Sequence, residues 1–204
     1  MVVCRSLLAL LVCGCSGAAA LPPEFPPKQW ETPERSVEEL EAVDVRIGDQ
    51  RWTSVFGGSD AEKTAALITL TAGEELPFTA TLTVPESEVS VVTRDGSPAY
   101  KDADTDWILL CEPLLLWQTR DPDDPDGDPK MKADYVKFRP AKEATNGRRA
   151  AKANEPLKVP DIPGIYLVRI NVLGAEKEST PGTKAPMAFQ GYCRVIAADD
   201  AESR

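Results

Sequence analysis

The chain has 204 residues, no histidine, and 33 acidic against 23 basic side chains, for a net charge of −10. Lacking histidine, it has no imidazole general base, no imidazole metal ligand and no imidazole charge switch near pH 7. Nucleic acid and anionic membrane surfaces are not expected partners either, since both call for basic groups that displace counterions.

Met1 to Ala20 carries Arg5, an apolar core from Leu7 to Cys13, and then small residues. This is the form of a secretory signal peptide (1–20), too short to span a bilayer as a helix. Ala18-Ala19-Ala20 offers an A-x-A cleavage site. The competing end, Val12-Cys13-Gly14-Cys15 followed by Ser16, resembles the bacterial lipobox. That resemblance implies cleavage before Cys15, a diacylglyceryl group on Cys15, and contact with the membrane only through this lipid. With either end the mature chain is exported, lipid-anchored in a bacterial cell envelope or periplasmic. Export into an oxidising compartment leaves Cys111 and Cys193 as an even pair. A disulfide between them would close a loop of about 80 residues and contribute up to ~4.5 kcal/mol. The alternative is two buried thiols acting as small apolar side chains.

Residues 21–41 read as a tether, with Pro22, Pro23, Pro26, Pro27 and Pro33 favouring an extended spacer. Ser36 and Glu39 have capping-box spacing and predict one helical turn. The body spans 42–198 and reads as short strands. Val43, Val45 and Ile47 alternate; Trp52 to Phe56 follows; Leu67 to Thr71 leads into the turn Ala72-Gly73-Glu74. Phe78, Ala80, Leu82 and Val84 then face a core while Thr79, Thr81 and Thr83 face away. Val89 and Val91 make a further strand. Trp107 to Cys111 and Leu114 to Trp117 are continuous apolar runs suited to strands covered on both sides. Tyr135 to Arg139 predicts a strand, and Lys137 to Lys158 a basic surface loop with its tip at Asn146-Gly147. Pro163 and Gly164 turn the chain into Tyr166, Val168, Ile170 and Val172, which alternate inward, leaving Arg169 and Asn171 on a wetter face. Ala188 to Ile196 closes the series, and 199–204 reads as a disordered acidic tail. About eight to ten short strands predict an all-β, antiparallel sandwich with long loops.

Leu70 to Leu82, L-T-A-G-E-E-L-P-F-T-A-T-L, is similar to the first two strands of Ig-like bacterial extracellular domains. Pro163 to Val172, P-G-I-Y-L-V-R-I-N-V, resembles their penultimate strand, found also in PKD-type and fibronectin-III-like modules. The resemblance implies an Ig-like β-sandwich in which Tyr166, just after a turn, forms a tyrosine corner.

Candidate chemistry is sparse. Asp121, Asp123, Asp124, Asp126 and Asp128 could supply oxygen ligands for Ca²⁺, but Pro122 and Ala133 stand where an EF-hand needs carboxylates, and a solvated loop is the better explanation of them. The basic run around Arg148 and Arg149 suits an acidic polysaccharide or lipid headgroups, or an ordinary surface. Trp107 and Trp117 read as core, and Trp52 as the tryptophan to be exposed for stacking on a sugar. No nucleophile motif or phosphate loop is present. The expectation is a non-catalytic binding or scaffolding module of the envelope, without a cofactor, whose partner is an envelope protein or a glycan. The alternatives are a small hydrolase using paired carboxylates and a Ca²⁺-dependent adhesion module.

Overall fold

The computed structural model describes residues 40–56, 59–93, 105–120, 124, 127–173 and 187–201. Two five-stranded sheets hold most of them. The first contains β1 (Glu41–Ile47), β2 (Gln50–Arg51), β4 (Glu75–Pro85), β9 (Arg139–Pro140) and β10 (Arg148–Lys158), in the order β2-β1-β4-β10-β9. The second contains β3 (Ile68–Thr71), β7 (Glu112–Thr119), β8 (Lys130–Tyr135), β11 (Gly164–Leu173) and β12 (Met187–Ile196), in the order β3-β12-β11-β7-β8. Neighbours are antiparallel except that β3 runs parallel to β12. A hairpin of β5 (Val89–Thr93) and β6 (Thr105–Leu109) stands apart, and a short helix α1 (Asp60–Ala65) precedes β3. Ala198–Ala201 form a helical turn, α2, where the sequence predicts the start of a disordered tail.

Alternation places Phe78, Leu82 and Val84 of β4, Val45 and Ile47 of β1, and Ala151, Ala153 and Leu157 of β10 in one buried cluster. Trp117, Tyr166, Val168, Ile170, Phe189 and Val195 of the second sheet belong to the same cluster, so the two sheets share one core.

β10 is the main departure from the sequence reading. The basic stretch is a central strand paired with β4 along its whole length, from Arg148↔Pro85 to Lys158↔Glu75. Its inward positions hold Arg149, Ala151, Ala153, Glu155 and Leu157, of which only Leu157 is a large apolar residue, so its periodicity is faint. Pro156 lies opposite Pro77. The Pro77 carbonyl is taken on the other edge of β4 by the Gly48 N–H at 2.9 Å, so β4 and β10 exchange no hydrogen bonds at this pair and neither missing N–H is needed. Asn146 (φ +52) and Gly147 (φ +71) make the two-residue turn that feeds the strand. The strand expected over Tyr135 to Arg139 is divided: β8 ends at Tyr135 and β9 begins at Arg139.

Cys111 and Cys193 are free and buried, and the disulfide between them is not formed. Cys193 lies opposite Tyr166, whereas Glu112, next to Cys111, lies opposite Leu173 at the far end of β11. That length of strand puts the thiols about 23 Å apart along the sheet and two strands apart across it, against the ~7 Å between Cα atoms that a bridge tolerates. Burial and the charge of Glu88 push the Cys111 thiol up to about 11, and burial raises Cys193 further. Alkylation of the native protein at pH 8 should therefore leave both unmodified, and alkylation after unfolding without reductant should modify both. A peptide map joining them would contradict this.

Tyr166 takes the expected corner position. It is buried, its ring meets Trp117 edge-on with centroids 6.2 Å apart, and its hydroxyl donates to the Ile162 carbonyl at 2.8 Å. Tyr166→Phe should cost about 0.5–1.5 kcal/mol in urea melts, the net worth of one hydrogen bond, and Tyr166→Ala about 3–5 kcal/mol through the cavity. Desolvation raises the phenol to about 12 from 10.0. The folded state thus holds this proton longer than the unfolded chain. The stability it confers is complete below pH 10 and falls as pH rises through about 12.

Candidate binding surface

Because residues alternate, one face of the second sheet lies away from the shared core. On β11 it carries Leu167, Arg169 and Asn171; on β12, Gln190 and Tyr192; on β7, Leu114, Leu116 and Gln118; on β8, Met131, Ala133 and Tyr135. Half of it is covered. Val55 and Leu67 pack on Leu167 and Tyr192, both fully buried. The Val55 N–H donates to the Gln190 carbonyl at 2.8 Å, and the Gln190 side-chain amide donates back to the Val55 carbonyl at 3.0 Å and to the Tyr192 hydroxyl at 3.1 Å. Trp52 secures the same strap, donating its indole N–H to the Tyr192 carbonyl at 3.1 Å. The strap then turns through α1, whose first turn is closed by a capping box between Ser59 and Glu62. The hydrogen bonds from Ser59 hold the Glu62 carboxyl below its usual range, so this shift reports a helix cap and not a reacting acid.

The other half is open. Met131 and Tyr135 are 67% and 77% exposed, Ala133 lies exposed between them, and Leu116 is half-buried behind. Arg169 sits at the border between the covered and open halves. It is half-buried, and desolvation lowers its pKa. Its Nε, the Asn171 Oδ1 and the Gln190 Oε1 are buried without hydrogen-bond partners. The wet face expected at Arg169 is therefore only partly wet, because the strap shields one side of it.

At the end of the same sheet a shallow groove of about 230 Å³ runs between β8 and the turn before β11, with Trp117, Met131, Lys132, Asp161, Ile162 and Tyr166 among its walls. Its polar groups are engaged within the chain. Lys132 Nζ bonds Asp134 Oδ2 at 2.6 Å and the Lys158 carbonyl at 2.7 Å; the Trp117 indole bonds the same Asp134 oxygen at 2.9 Å; Lys158 pairs with Asp161 at 2.8 Å. What remains for a ligand is the apolar lip formed by Met131 and Ile162.

The residues singled out in the sequence are dispersed. Cys15, Asp121, Asp123 and Asp126 lie outside the described residues. Asp124 and Asp128 are exposed, and the Arg120 guanidinium spans their loop to the Gly127 carbonyl at 2.7 Å. Among the described residues no group of three or more Cys, Asp or Glu is placed to hold a metal ion. Trp52, expected to be exposed, is buried against Trp117 with ring centroids 5.9 Å apart. Trp107 is half-buried, and the Arg149 guanidinium lies 3.9 Å over its ring.

Arg149 is a structural residue that sequence reasoning left in a loop. It is buried, pairs with Glu86 at 2.8 Å, and donates to the carbonyls of Ala141 (3.1 Å) and Lys142. It thus fastens the β5–β6 hairpin and the turn after β9 to β10. Arg149→Ala should cost about 2–4 kcal/mol, and Arg149→Lys should recover little, because an ammonium cannot reproduce the fork or the stacking. Lys142→Ala, at an exposed site, should stay within about 0.5 kcal/mol by the same denaturant melts.

No protein-family model matches the chain, and no curated protein matches it. A solved structure of a family 123 glycoside hydrolase from Clostridium perfringens, described for glycolipid glycan hydrolysis, is similar at 16% identity and a TM-score of 0.23, over 63% of this chain and 22% of that one. A likeness that slight carries no argument for a shared fold or activity.

Proposed function

We propose that this chain is a non-catalytic binding or scaffolding module of the bacterial cell envelope, an Ig-like β-sandwich held at the membrane by a lipid on Cys15. Three features support the Ig-like reading. The sheet orders correspond to a four-strand and a five-strand layer, with β2 a short extension of the first. The first strand of the second layer runs parallel to the last. The hydroxyl of Tyr166 closes a corner four residues upstream at the start of the penultimate strand. The binding reading rests on one observation above all: the open half of the second sheet exposes Met131 and Tyr135 on β8, across β7 from a half-buried Arg169. Tyr, Met and Arg are the side chains enriched at protein interfaces, where Lys and Glu are depleted. The open half is a sheet face and not a walled pocket, so we argue for an envelope protein as the partner ahead of a glycan.

Two arms test this. Cys15→Ser should move the protein from the membrane to the soluble fraction, and an unchanged distribution would remove the anchor. A photo-cross-linker placed at Tyr135 in cells should give a discrete adduct with an envelope protein, while one at Glu143, exposed on a turn, should give none. Equal, empty lanes would contradict binding through this face.

A further inference from the structure

The edges of the two sheets are finished differently. At β3 the Thr69 N–H donates to the Gln50 side-chain oxygen at 3.2 Å, and the Thr69 carbonyl accepts from the same amide, so a side chain caps that edge. The edge strands of the first sheet, β2 and β9, are two residues long. β8 has six residues, and among the described residues nothing caps its outer edge in this way.

Hydrogen-bond parity fixes which backbone groups β8 presents there. The carbonyls of Gln190 and Tyr192 bond the strap, so these residues turn their backbone groups away from β11. Arg169 and Leu167, opposite them, therefore bond toward β7, and the Thr119 hydroxyl donating to the Ile165 carbonyl at 2.8 Å agrees. Their partners on β7 are Leu116 and Gln118, which lie opposite Ala133 and Met131 without exchanging bonds with them. The N–H and C=O groups of Met131, Ala133 and Tyr135 thus point away from the sheet. All three residues are exposed, and Lys132 and Asp134 on the strand's other face keep 36% and 23% of their side-chain surface, so water reaches this edge from both sides.

An open edge is a template for a further strand. The run from Lys130 to Tyr135 is complementary to itself in an antiparallel register with Ala133 on the two-fold axis. Lys132 then lies opposite Asp134 of the second copy, and Met131 opposite its Tyr135, each contact occurring twice. Opposite charges across a ladder are favourable, as is a thioether against an aromatic ring. Shifting the axis by one residue sets lysine against lysine or aspartate against aspartate, and shifting it to Met131 sets Lys130 against Lys132. The ladder also ends where donors run out. Pro129 has no N–H, and it falls opposite Lys137, whose N–H already donates to Glu155 at 2.9 Å. A strand of another sequence meets two lysines that discourage pairing, whereas a second copy brings the carboxylate that answers Lys132.

We propose that β8 pairs edge to edge with β8 of a second copy of this chain, antiparallel about Ala133, joining two five-stranded sheets into one of ten strands. The two-fold axis perpendicular to the sheet makes the contact isologous and leaves both outer faces side by side and uncovered. The contact is small, so the pairing is reversible. The inference goes beyond the binding reading and does not depend on where the protein resides.

The test uses the full chain carrying Cys4→Ser, Cys13→Ser and Cys15→Ser, so that neither an acyl chain nor an N-terminal thiol joins two copies; Cys111 and Cys193 are buried. Sedimentation equilibrium should show a monomer–dimer equilibrium. Ala133→Pro removes the outward N–H at the axis without touching the β7 ladder, and should weaken dimerisation about tenfold or more. Under mild oxidation Ala133→Cys should form a disulfide between copies, since facing Cα atoms lie about 5.5 Å apart. Met131→Cys alone and Tyr135→Cys alone should not, because each lies about 14 Å along the strand from its own counterpart, but an equimolar mixture of the two should cross-link. If Ala133→Pro loses the sheet signal in circular dichroism, the cysteine variants decide. A chain that stays monomeric up to its solubility, a dimer indifferent to a folded Ala133→Pro, or Met131→Cys cross-linking alone as readily as Ala133→Cys would each overturn the proposal. A monomer whose Tyr135 probe still captures a different envelope protein would end the pairing and leave the binding reading in place.

Discussion

Burial of β11 on both faces is the constraint on which the other elements depend. Its inward residues, Tyr166, Val168, Ile170 and Val172, enter the core shared with the first sheet, while Leu167 on the opposite side is equally inaccessible. A strand covered on both faces needs a partner on each edge and a layer above it. β7 and β12 supply the edges, and the strap from Trp52 to Leu67 supplies the layer. The strap in turn requires Gln190, whose amide holds the Val55 backbone, and Trp52, which is drawn from the expected surface into contact with Trp117 and Phe189. The corner at Tyr166 fixes where this strand begins, and so sets the register of every neighbour.

Much of this was legible. The turn at Pro163-Gly164 and the alternation after it located the penultimate strand, its inward face and the role of Tyr166. Phe78 to Val84 likewise announced β4. β10 was not legible because its inward face is built from Ala151, Ala153 and a buried arginine, which dilute the period-two signal that larger apolar residues give. A proline is also foreign to a central strand, and Pro156 is tolerated there only because the register sets it opposite Pro77. Cys111 and Cys193 made an attractive pair by count alone, but count says nothing of distance. Trp52 reads as exposed when its strand is imagined as an edge of the first sheet; the chain leaves that sheet after Arg51 and crosses to the second. The capping box at Ser59 and Glu62 was present in the sequence and went unread among the glycines and acids around it.

The charge distribution follows from the same architecture. The basic run that suggested a headgroup patch is divided by strand alternation: Arg149 turns inward to Glu86 and Trp107, while Lys152 and Lys158 turn outward. A patch in the sequence is therefore not a patch on the molecule. The converse holds for the outer face of the second sheet. Met131 and Tyr135 come from β8, Leu116 from β7 and Arg169 from β11, and only the sheet brings them together.

Residue-resolved amide exchange of the native protein tests the central claim most directly. If β11 is paired and covered as described, the amides from Leu167 to Ile170 exchange only through global unfolding, together with the β4–β10 ladder, while the edge strands β8 and β9 exchange far faster by local opening. Amides of β11 that exchange as fast as those of β8, or residues 148–158 that exchange as fast as the turn 141–147, would contradict it.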